Sequence, residues 1–220
     1  MDVQQQINAL WNGAAPEYDR APRHGLSFPE EEAAWKGALT ALMPAAPADV
    51  LDVGTGTGFL ALLLSELGHR VRGVDLAEGM LAHARSKAAE RRLAVTFEVG
   101  DAMDPSGEDG SVDALVSRHV FWTLTDPERA LRNWRRLLRP SGRLVIIDGL
   151  WSQNEQSEHT LAFQDALPMT AVSSLDAVKA LVSGAGFVDV GEATLGGVAE
   201  VEVACWEKTD ELRYVLTARR

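Results

Sequence analysis

Three closely spaced glycines form the segment of this chain that is most informative about chemistry. Gly54, Gly56 and Gly58 alternate with two threonines in D-V-G-T-G-T-G-F, which begins at Asp52. A turn that passes directly from a strand into a helix needs residues without a Cβ where the chain reverses and where a ligand lies against the backbone. The helix that follows such a turn offers unpaired N–H groups to a polar or anionic ligand. The segment therefore predicts a ligand-binding turn.

Acidic residues follow the next two apolar runs along the chain. Asp75 ends the run R-V-R-G-V-D, and Asp101 comes directly after Gly100 at the end of the following run. A carboxylate at the position of Asp75 can accept hydrogen bonds from two ribose hydroxyls. Chance is a poor explanation for polar residues of matching type at three separate strand ends. We interpret the glycine turn, Asp75 and Asp101 as one binding site.

The segments that must position these residues alternate between short apolar runs and helical periods. Strands are predicted at 50–53, 70–75, 93–99, 112–117, 143–148, 187–190 and 213–218. Helices are predicted at 59–67, 77–91, 127–138 and 175–185. This alternation favours a Rossmann-like α/β fold, with a mostly parallel sheet and helices on both faces. In such sheets ligands bind beyond the carboxyl ends of the strands.

The chain of 220 residues is predicted to form one domain. Residues 46–149 are expected to form its binding core, and residues 173–220 the C-terminal part of the sheet. Residues 1–45 and 150–172 stand outside the alternation and are rich in Trp, Tyr, Phe and His. We interpret 1–45 as an N-terminal helical lid and 150–172 as a second lid segment. Residues 195–210 alternate like a strand, but a helix is nearly as plausible.

The net charge and the cysteine content limit which kinds of partner and metal site can be expected. Lys and Arg total 21 against 32 Asp and Glu, a formal net charge of −11. Nucleic-acid binders usually show a basic excess, so neither a nucleic acid nor an anionic membrane is expected as a partner. No signal peptide or apolar run long enough to span a membrane is evident, and we expect a cytoplasmic protein. The single Cys205 and the spacing of His, Asp and Glu suggest no metal site.

A dinucleotide-binding turn is the rival interpretation of the glycine segment. Its pattern is G-x-G-x-x-G, whereas here the third glycine comes one position earlier and Phe59 occupies the dinucleotide position. Asp52, two residues before the first glycine, would repel a diphosphate. The same carboxylate would attract the ammonium of an amino-acid ligand. An NAD-dependent dehydrogenase is therefore disfavoured.

Four motifs together resemble the class I S-adenosylmethionine-dependent methyltransferases. They are V-L-D-V-G-T-G-T-G at 50–58, V-D-L at 74–76, G-D-A at 100–102 and L-R-P-S-G-R-L at 138–144. The sequence is most similar to the small-molecule group that includes the ubiquinone and menaquinone methyltransferases. The resemblance implies a seven-stranded sheet with an antiparallel last strand. It also implies S-adenosyl-L-methionine as cofactor, with S-adenosyl-L-homocysteine as product.

The resemblance is specific for cofactor and fold but not for substrate. It runs from about Trp11 to Asp148, with a weaker match in the last helix and strands. Met103 and Asp104 stand where the quinone enzymes usually have Leu-Pro after G-D-A. Ser141 replaces the first glycine of their usual Pro-Gly-Gly turn. Both departures discourage the transfer of a quinone substrate to this chain.

The same resemblance implies a role for each motif residue. The glycines would pass under the cofactor, and Asp75 would hold the ribose hydroxyls. Leu76 would line the adenine, and Asp101 and Ala102 would meet its amino edge. Ser117 would offer its carbonyl to the methionyl ammonium. The full predicted cofactor set is Tyr18, Asp52, Gly54, Thr55, Gly56, Gly58, Asp75, Leu76, Met80, Asp101, Ala102 and Ser117.

Catalysis would need little covalent help from the protein. Methyl transfer from a sulfonium is an in-line displacement, and holding the nucleophile about 3 Å from the methyl carbon in a dry site supplies several kcal/mol. A base is needed only where the acceptor must lose a proton, and histidine suits neutral pH. The candidate catalytic residues are His119 after the fourth strand, His24 in the predicted lid and Asp148 at the end of the fifth strand. A structural hydrogen bond is the alternative role for each.

Three further residues are candidates for binding the acceptor. Trp122 and Trp151 follow the fourth and fifth strands, and such rings suit a planar, apolar or cationic acceptor. Packing of the lid onto the sheet is at least as good an explanation for both. Arg118 can pair with a substrate or cofactor carboxylate, but an acidic lid residue is the more economical partner.

The sequence as a whole predicts methyl transfer to an O, N or C nucleophile of a small molecule. The acceptor would be the main partner, and the chain itself would be a monomer or homodimer. An RNA or protein methyltransferase and a non-catalytic S-adenosylmethionine-binding protein remain alternatives. The acidic net charge of −11 disfavours the first of these.

Overall fold

Seven strands form a single mixed sheet in the order β3-β2-β1-β4-β5-β7-β6. The computed structural model describes residues 2–21, 24–150, 163–206 and 213–220. The strands are β1 (Asp49–Val53), β2 (Arg70–Asp75), β3 (Val95–Val99), β4 (Val112–Arg118), β5 (Leu138–Gly149), β6 (Val188–Ala193) and β7 (Arg213–Arg219). The first five strands pair in parallel, whereas β7 is antiparallel to both β5 and β6. The predicted fold class, including the antiparallel last strand, is confirmed.

Helices cover both faces of the sheet. They are α1 (Val3–Tyr18), α2 (Pro29–Leu42), α3 (Phe59–Glu66), α4 (Glu78–Arg91), α5 (Pro127–Leu137), α6 (Leu175–Gly184) and α7 (Val198–Trp206). Neighbouring residues of a strand point to opposite faces, as the period of two requires. Val50 therefore belongs to the apolar cluster with α2, α3, α4 and α7, while Leu51 belongs to the cluster with α5 and α6. Both faces are buried, which explains why the central strands are mostly apolar.

The largest differences from the sequence prediction are at the start of β5 and at residues 198–206. β5 begins at Leu138 rather than 143, because Leu138 already pairs with Val112 before a register shift in the ladder. Residues 198–206 form helix α7, so this part of the segment 195–210 is a helix rather than a strand, and residues 207–210 lie outside the described residues. α7 packs against α2. Its placement therefore depends on a partner more than 150 residues earlier in the chain, which no local period reports.

The predicted N-terminal lid divides into two helices with different surroundings. α2 lies in the main core, where Trp35 and Leu39 are almost fully buried. α1 instead lies on the carboxyl-end side of the sheet and packs against α4. Of the predicted second lid at 150–172, residues 151–162 lie outside the described residues. Phe163 and Leu167 of the described part pack against Ile7 of α1.

Candidate functional site

A cavity opens at the carboxyl ends of β1, β2 and β4, beneath α1. The volume of this cavity is about 80 Å³, and its lining comes from all three strand ends and from α1. β1 lies between β2 and β4 in the sheet. From β1 the chain continues through β2 to β3 at one edge, and it then returns to β4 on the other side of β1. The cavity therefore lies at the switch point of the strand order, where sheets of this kind bind ligands.

The glycine turn forms the floor of this cavity. Gly54, Gly56 and Gly58 have φ of +66°, +54° and +85°, a region that favours glycine. A Cβ on Gly54 would come within 2.1 Å of Val120 Cγ2. A Cβ on Gly56 would meet no heavy atom of the described residues within 4 Å, because Gly56 faces the cavity. Gly54 is therefore required for packing, whereas Gly56 leaves backbone open to a ligand.

Asp75 joins the end of β2 to the glycine turn. Its Oδ2 accepts the N–H of Gly56 at 2.8 Å, and its Oδ1 accepts the N–H of Ala77 at 2.9 Å. Burial raises the pKa of the Asp75 carboxyl, although these N–H groups lower it. Each carboxylate oxygen has a further lone pair, and Asp75 lines the cavity. It can therefore accept hydrogen bonds from vicinal hydroxyls without releasing the turn.

Asp52 lies under the turn and does not line the cavity. Its side chain is buried, and Oδ2 accepts hydrogen bonds from Thr55 Oγ1 at 2.7 Å and from the N–H of Ala61 at 3.1 Å. Burial raises the pKa of Asp52 to about 7, although the hydrogen bond from Thr55 opposes the shift. These contacts tie the turn to the first residues of α3.

Aromatic and imidazole rings form a continuous row of edge-on and tilted contacts at the other end of the cavity. Trp11 meets the edge of Tyr18 with ring centroids 6.0 Å apart, and Tyr18 lies 4.5 Å from His24. His24 in turn lies 5.8 Å from His119. Burial raises the pKa of the Tyr18 hydroxyl, which Arg118 partly counteracts. This row of rings brings together two histidines that are 95 residues apart in the chain.

Arg118 ends β4 and places a positive charge at the cavity. The residue is 8% exposed. Its Cζ lies 4.0 Å from the ring centroid of Phe59 and 5.2 Å from that of Trp35, distances at which cation–π attraction acts. Burial lowers the pKa of the guanidinium to about 10. Arg118 therefore remains protonated at neutral pH.

Polar contacts of Asn12 in α1 and of Asp19 at its carboxyl end attach α1 to α4 and to the glycine turn. Asn12 Oδ1 accepts the N–H of Gly79 at 2.8 Å and so caps α4, whose own N-cap residue Ala77 has no capping side chain. Asp19 accepts hydrogen bonds from Thr57 Oγ1 at 2.5 Å and from Lys87 Nζ at 2.6 Å. These contacts hold Trp11 and Tyr18 against the cavity.

Comparison with known proteins agrees with this geometry. The model of a family described as a methyltransferase domain matches residues 51–146. A demethylmenaquinone methyltransferase of Thermus thermophilus is 40% identical over 141 residues, which cover 63% of this chain and 64% of that protein. The demethylmenaquinone methyltransferase of Deinococcus radiodurans is 33% identical over 191 residues, covering 83% of this chain and 74% of that protein. The chain belongs to the class I S-adenosylmethionine-dependent methyltransferases.

A solved structure also shares the fold of this methyltransferase. Phosphoethanolamine N-methyltransferase 2 of Haemonchus contortus, in complex with S-adenosyl-L-methionine, superimposes with a TM-score of 0.73 at 18% identity. The match covers 100% of this chain and 60% of that one. At this identity the likeness concerns the fold alone. The match to the Thermus protein spans slightly less than two thirds of that relative's length.

Most of the predicted site residues of the methyltransferase line one cavity. They are Tyr18, Gly54, Gly56, Asp75, Leu76, Met80, Asp101, Ala102, Arg118 and His119. Asp52, Thr55, Gly58 and Ser117 do not line it, and Trp151 lies outside the described residues. Trp122 and His24 do not line the cavity, but both contact His119, which does: Trp122 Nε1 donates to the carbonyl of His119 at 3.1 Å, and the His24 ring centroid lies 5.8 Å from that of His119. Their predicted ligand contacts remain predictions.

The structure places Asp148 apart from the cavity lining. It is fully buried, and its carboxylate accepts the N–H groups of Gly149 at 2.8 Å and Trp122 at 3.3 Å. Its side chain therefore connects the end of β5 to the loop after β4. Both oxygens therefore accept backbone N–H groups, and the catalytic role expected for Asp148 stays a prediction.

Several lining residues of the methyltransferase were not predicted. They are Gln4, Ile7, Asn8, Trp11, Ala77, Val120, Thr123 and Leu124. Half of them lie on α1, which reaches the cavity only through its tertiary contacts. The sequence held one usable signal: the helix after Asp75 starts without a capping side chain at Ala77, so that its N–H groups need a partner from elsewhere. No helix of the described residues is long and apolar enough to cross a membrane.

Proposed function

We propose that this chain transfers a methyl group from S-adenosyl-L-methionine to a small-molecule acceptor. The observation that carries the proposal is the pairing of Gly56 with Asp75 in one cavity. Gly56 presents open backbone, and Asp75 presents carboxylate oxygens beside it. An amino-acid nucleoside needs both features, a surface without side chains and an acceptor for ribose hydroxyls. When bound, the cofactor supplies a methyl group on a positively charged sulfur.

The residues of the cavity divide the binding work by position along the sheet edge. Asp75 accepts the ribose hydroxyls, and Leu76 and Met80 pack against the adenine. Asp101, whose Oδ1 accepts the N–H of Met103 at 2.8 Å, meets the amino edge of the adenine beside Ala102. The glycine turn and Tyr18 take the methionyl portion. α1 excludes water by closing over these residues.

In this proposal the acceptor lies at the β4 end of the cavity, beside Arg118, His119 and His24. His119 is the residue that takes a proton from an acceptor hydroxyl, and the ring of His24 meets it edge-on. The curated relatives are named for demethylmenaquinone, which supports a ring-bearing small molecule as the acceptor class. The formal net charge of −11 supports a small molecule over a nucleic acid.

Calorimetry with the purified protein tests the cofactor first. S-adenosyl-L-methionine and S-adenosyl-L-homocysteine are expected to bind with micromolar affinity, and NADH serves as the control that should not bind. Failure of both sulfur ligands to bind folded protein would overturn the proposal.

Turnover is then followed with methyl-labelled S-adenosyl-L-methionine and a panel of phenols, enols, amines and total RNA. Label in small-molecule products supports the proposal. Label in RNA would support the RNA methyltransferase alternative. Tight cofactor binding with no label in any acceptor would favour a non-catalytic binding protein.

A further inference from the structure

Helix α1 contributes an uncharged hydrogen-bonding group to the cavity. Asn8 is half-buried and lines the cavity together with Ile7 and Trp11 of the same helix. The acidic side chains of the lining belong to Asp75, which ends β2, and Asp101, which follows β3. As carboxylates they only accept hydrogen bonds, whereas an asparagine amide can also donate two. The orientation of the Asn8 amide therefore decides what α1 offers to a ligand.

The neighbouring Asn12 has only one possible amide orientation. Its Oδ1 accepts the N–H of Gly79 at 2.8 Å. Because a backbone N–H can only donate, the oxygen of Asn12 must face α4 and its nitrogen must face away. That nitrogen, Nδ2, donates to the carbonyl oxygen of Asn8 at 2.9 Å, and a carbonyl can only accept. Two backbone groups of opposite character thus fix the side chain of Asn12.

The orientation of Asn12 in turn fixes the amide of Asn8. Asn12 Nδ2 also donates to Asn8 Oδ1, at 2.7 Å, so the oxygen of the Asn8 amide faces Asn12. Asn12 does not line the cavity, whereas Asn8 does. The Nδ2 group of Asn8 is the other end of its amide, and no residue that the structure describes accepts a hydrogen bond from it. Asn8 therefore presents N–H donors, not an acceptor, to the cavity.

Two contacts set the position of Asn8 along the cavity. The carboxyl end of α1 is held at the glycine turn, where Asp19 accepts a hydrogen bond. Asn12 lies opposite Gly79 at the start of α4, just after Asp75. Asn8 lies one helical turn further from the glycine turn, about 6 Å along the helix axis. It is therefore on the side of Asp75 where the proposed function places the base of the cofactor.

We propose that Asn8 determines specificity for the cofactor by donating a hydrogen bond to an unprotonated ring nitrogen of its base. This rests on the proposed function, because it takes the cavity to hold S-adenosyl-L-methionine. A purine ring nitrogen with a lone pair accepts hydrogen bonds and cannot donate them at neutral pH. The carboxylates of Asp75 and Asp101 cannot pair with such an atom, since both are acceptors. The fixed amide of Asn8 supplies the donor that they lack.

The test compares variants of α1 by calorimetry with S-adenosyl-L-homocysteine. Asn8→Asp keeps an oxygen for Asn12 and replaces Nδ2 by an oxygen that cannot donate. Asn8→Ala removes the amide without adding charge, and alanine favours the helix. Ala9→Asp is the matched control, because Ala9 is exposed on the same helix and receives the same charge away from the cavity. Thermal unfolding confirms that each variant is folded.

Asn8→Ala is expected to bind S-adenosyl-L-homocysteine about threefold to tenfold more weakly than wild type, the range for one hydrogen bond. Asn8→Asp should bind more weakly still, because its oxygen faces another acceptor. Ala9→Asp should keep wild-type affinity. Wild-type affinity in Asn8→Ala would overturn the proposal and leave the proposed function standing. A loss in Ala9→Asp as large as that in Asn8→Asp would do the same.

Analogues of the ligand identify the atom that Asn8 contacts. The 1-deaza, 3-deaza and 7-deaza forms of S-adenosyl-L-homocysteine each replace one ring nitrogen by C–H. One of them is expected to bind wild type about threefold to tenfold more weakly than the parent, and this difference should vanish in Asn8→Ala. Persistence of every such difference in Asn8→Ala would overturn the proposal, as would coupling of Asn8 to the 2′-deoxy or 3′-deoxy form instead. Failure of S-adenosyl-L-homocysteine to bind wild type would overturn this proposal and the proposed function together.

Discussion

Asp19 at the carboxyl end of α1 and Thr57 in the glycine turn are joined by a hydrogen bond, with their side-chain oxygens 2.5 Å apart. The other oxygen of Asp19 accepts from Lys87 Nζ on α4 at 2.6 Å. Thr57 is 1% exposed, so this contact is sheltered from water. The carboxylate of Asp19 therefore links α1, which covers the cavity, to the glycine turn that forms the cavity floor. It also links α1 to α4, which packs on the sheet.

We expect Asp19→Ala and Thr57→Val each to weaken S-adenosyl-L-homocysteine binding by about 1.5–3 kcal/mol, the typical value of a hydrogen bond to a charged group. The reason is that α1 loses its attachment beside Tyr18. Calorimetry measures the change. Glu17→Ala is the control, because Glu17 is exposed and pairs only locally with Arg20. Wild-type affinity in both variants would show that the attachment of α1 does not contribute to binding.

Asp75→Asn should reduce the affinity for S-adenosyl-L-methionine by about 1–3 kcal/mol, because charge-assisted hydrogen bonds to ribose hydroxyls are lost. The amide oxygen can still accept one of the two backbone N–H groups, whereas the amide NH2 faces the other as a second donor, so part of the loss comes from the turn itself. Asp104→Asn is the matched control, since Asp104 is half exposed and pairs with Arg129. Unchanged affinity in Asp75→Asn would remove Asp75 from the cofactor site.

Two alanine substitutions in the turn should separate packing from binding. Gly54→Ala is expected to lower the free energy of unfolding, because its Cβ would meet Val120 at 2.1 Å. Gly56→Ala has an open Cβ position, so strain at its φ of +54° costs only about 1 kcal/mol. Its methyl group instead enters the cavity and should mainly weaken cofactor binding. Urea unfolding and calorimetry measure the two effects.

The packing half of that prediction has its own control. Val120→Ala removes the Cγ atoms nearest to the added Cβ, so the Gly54→Ala, Val120→Ala double variant should recover part of the stability lost by Gly54→Ala. Additive losses in the double variant would contradict a direct clash.

His119→Asn should lower kcat by about 10²-fold or more with little change in cofactor affinity, if His119 takes a proton from the acceptor. Asparagine is chosen because His119 has a φ of +58°, which asparagine tolerates better than alanine. Turnover of labelled S-adenosyl-L-methionine with an acceptor from the panel is measured beside thermal unfolding. A parallel loss of stability and turnover would indicate a structural role. His24→Asn tests whether the neighbouring ring shares the task.

Asp52 should make the folded methyltransferase less stable as pH rises. Its pKa is about 7 in the folded state against 3.8 for the free side chain, so between these values the folded state binds the additional proton. The contribution of Asp52 to the free energy of unfolding therefore falls as pH rises from about 4 to 7 and is constant above that.

The variant Asp52→Asn keeps an oxygen for Thr55 and Ala61 without the charge. Relative to wild type it should gain stability between pH 4 and pH 8, on the order of 4 kcal/mol at the upper end. Urea unfolding of both proteins at pH 4 and pH 8 measures the difference between their free energies of unfolding. The contributions of titrating groups that both proteins share cancel in this difference. A difference that does not change with pH would show that Asp52 is ionised throughout.

The strands and helices at the centre of the fold could be predicted because their information is local. Short apolar runs ended by glycine, as at Val50 to Val53, have few solutions other than a buried strand. The positive φ of Gly54, Gly56 and Gly58 follows from a strand that turns at once into a helix. For this reason the sequence by itself determined the fold class, the glycine turn and the acidic strand ends beside it.

The tertiary structure alone decided which side chains enclose the cavity. Asn12 caps a helix 67 residues later, and Asp19 reaches Lys87 68 residues later. Asp148 is turned to the backbone of Trp122 instead of to the cavity. The contact between the two histidines and the position of Arg118 between two rings likewise depend on packed partners. Such contacts form only when distant segments meet, so no periodicity or spacing within a segment could report them.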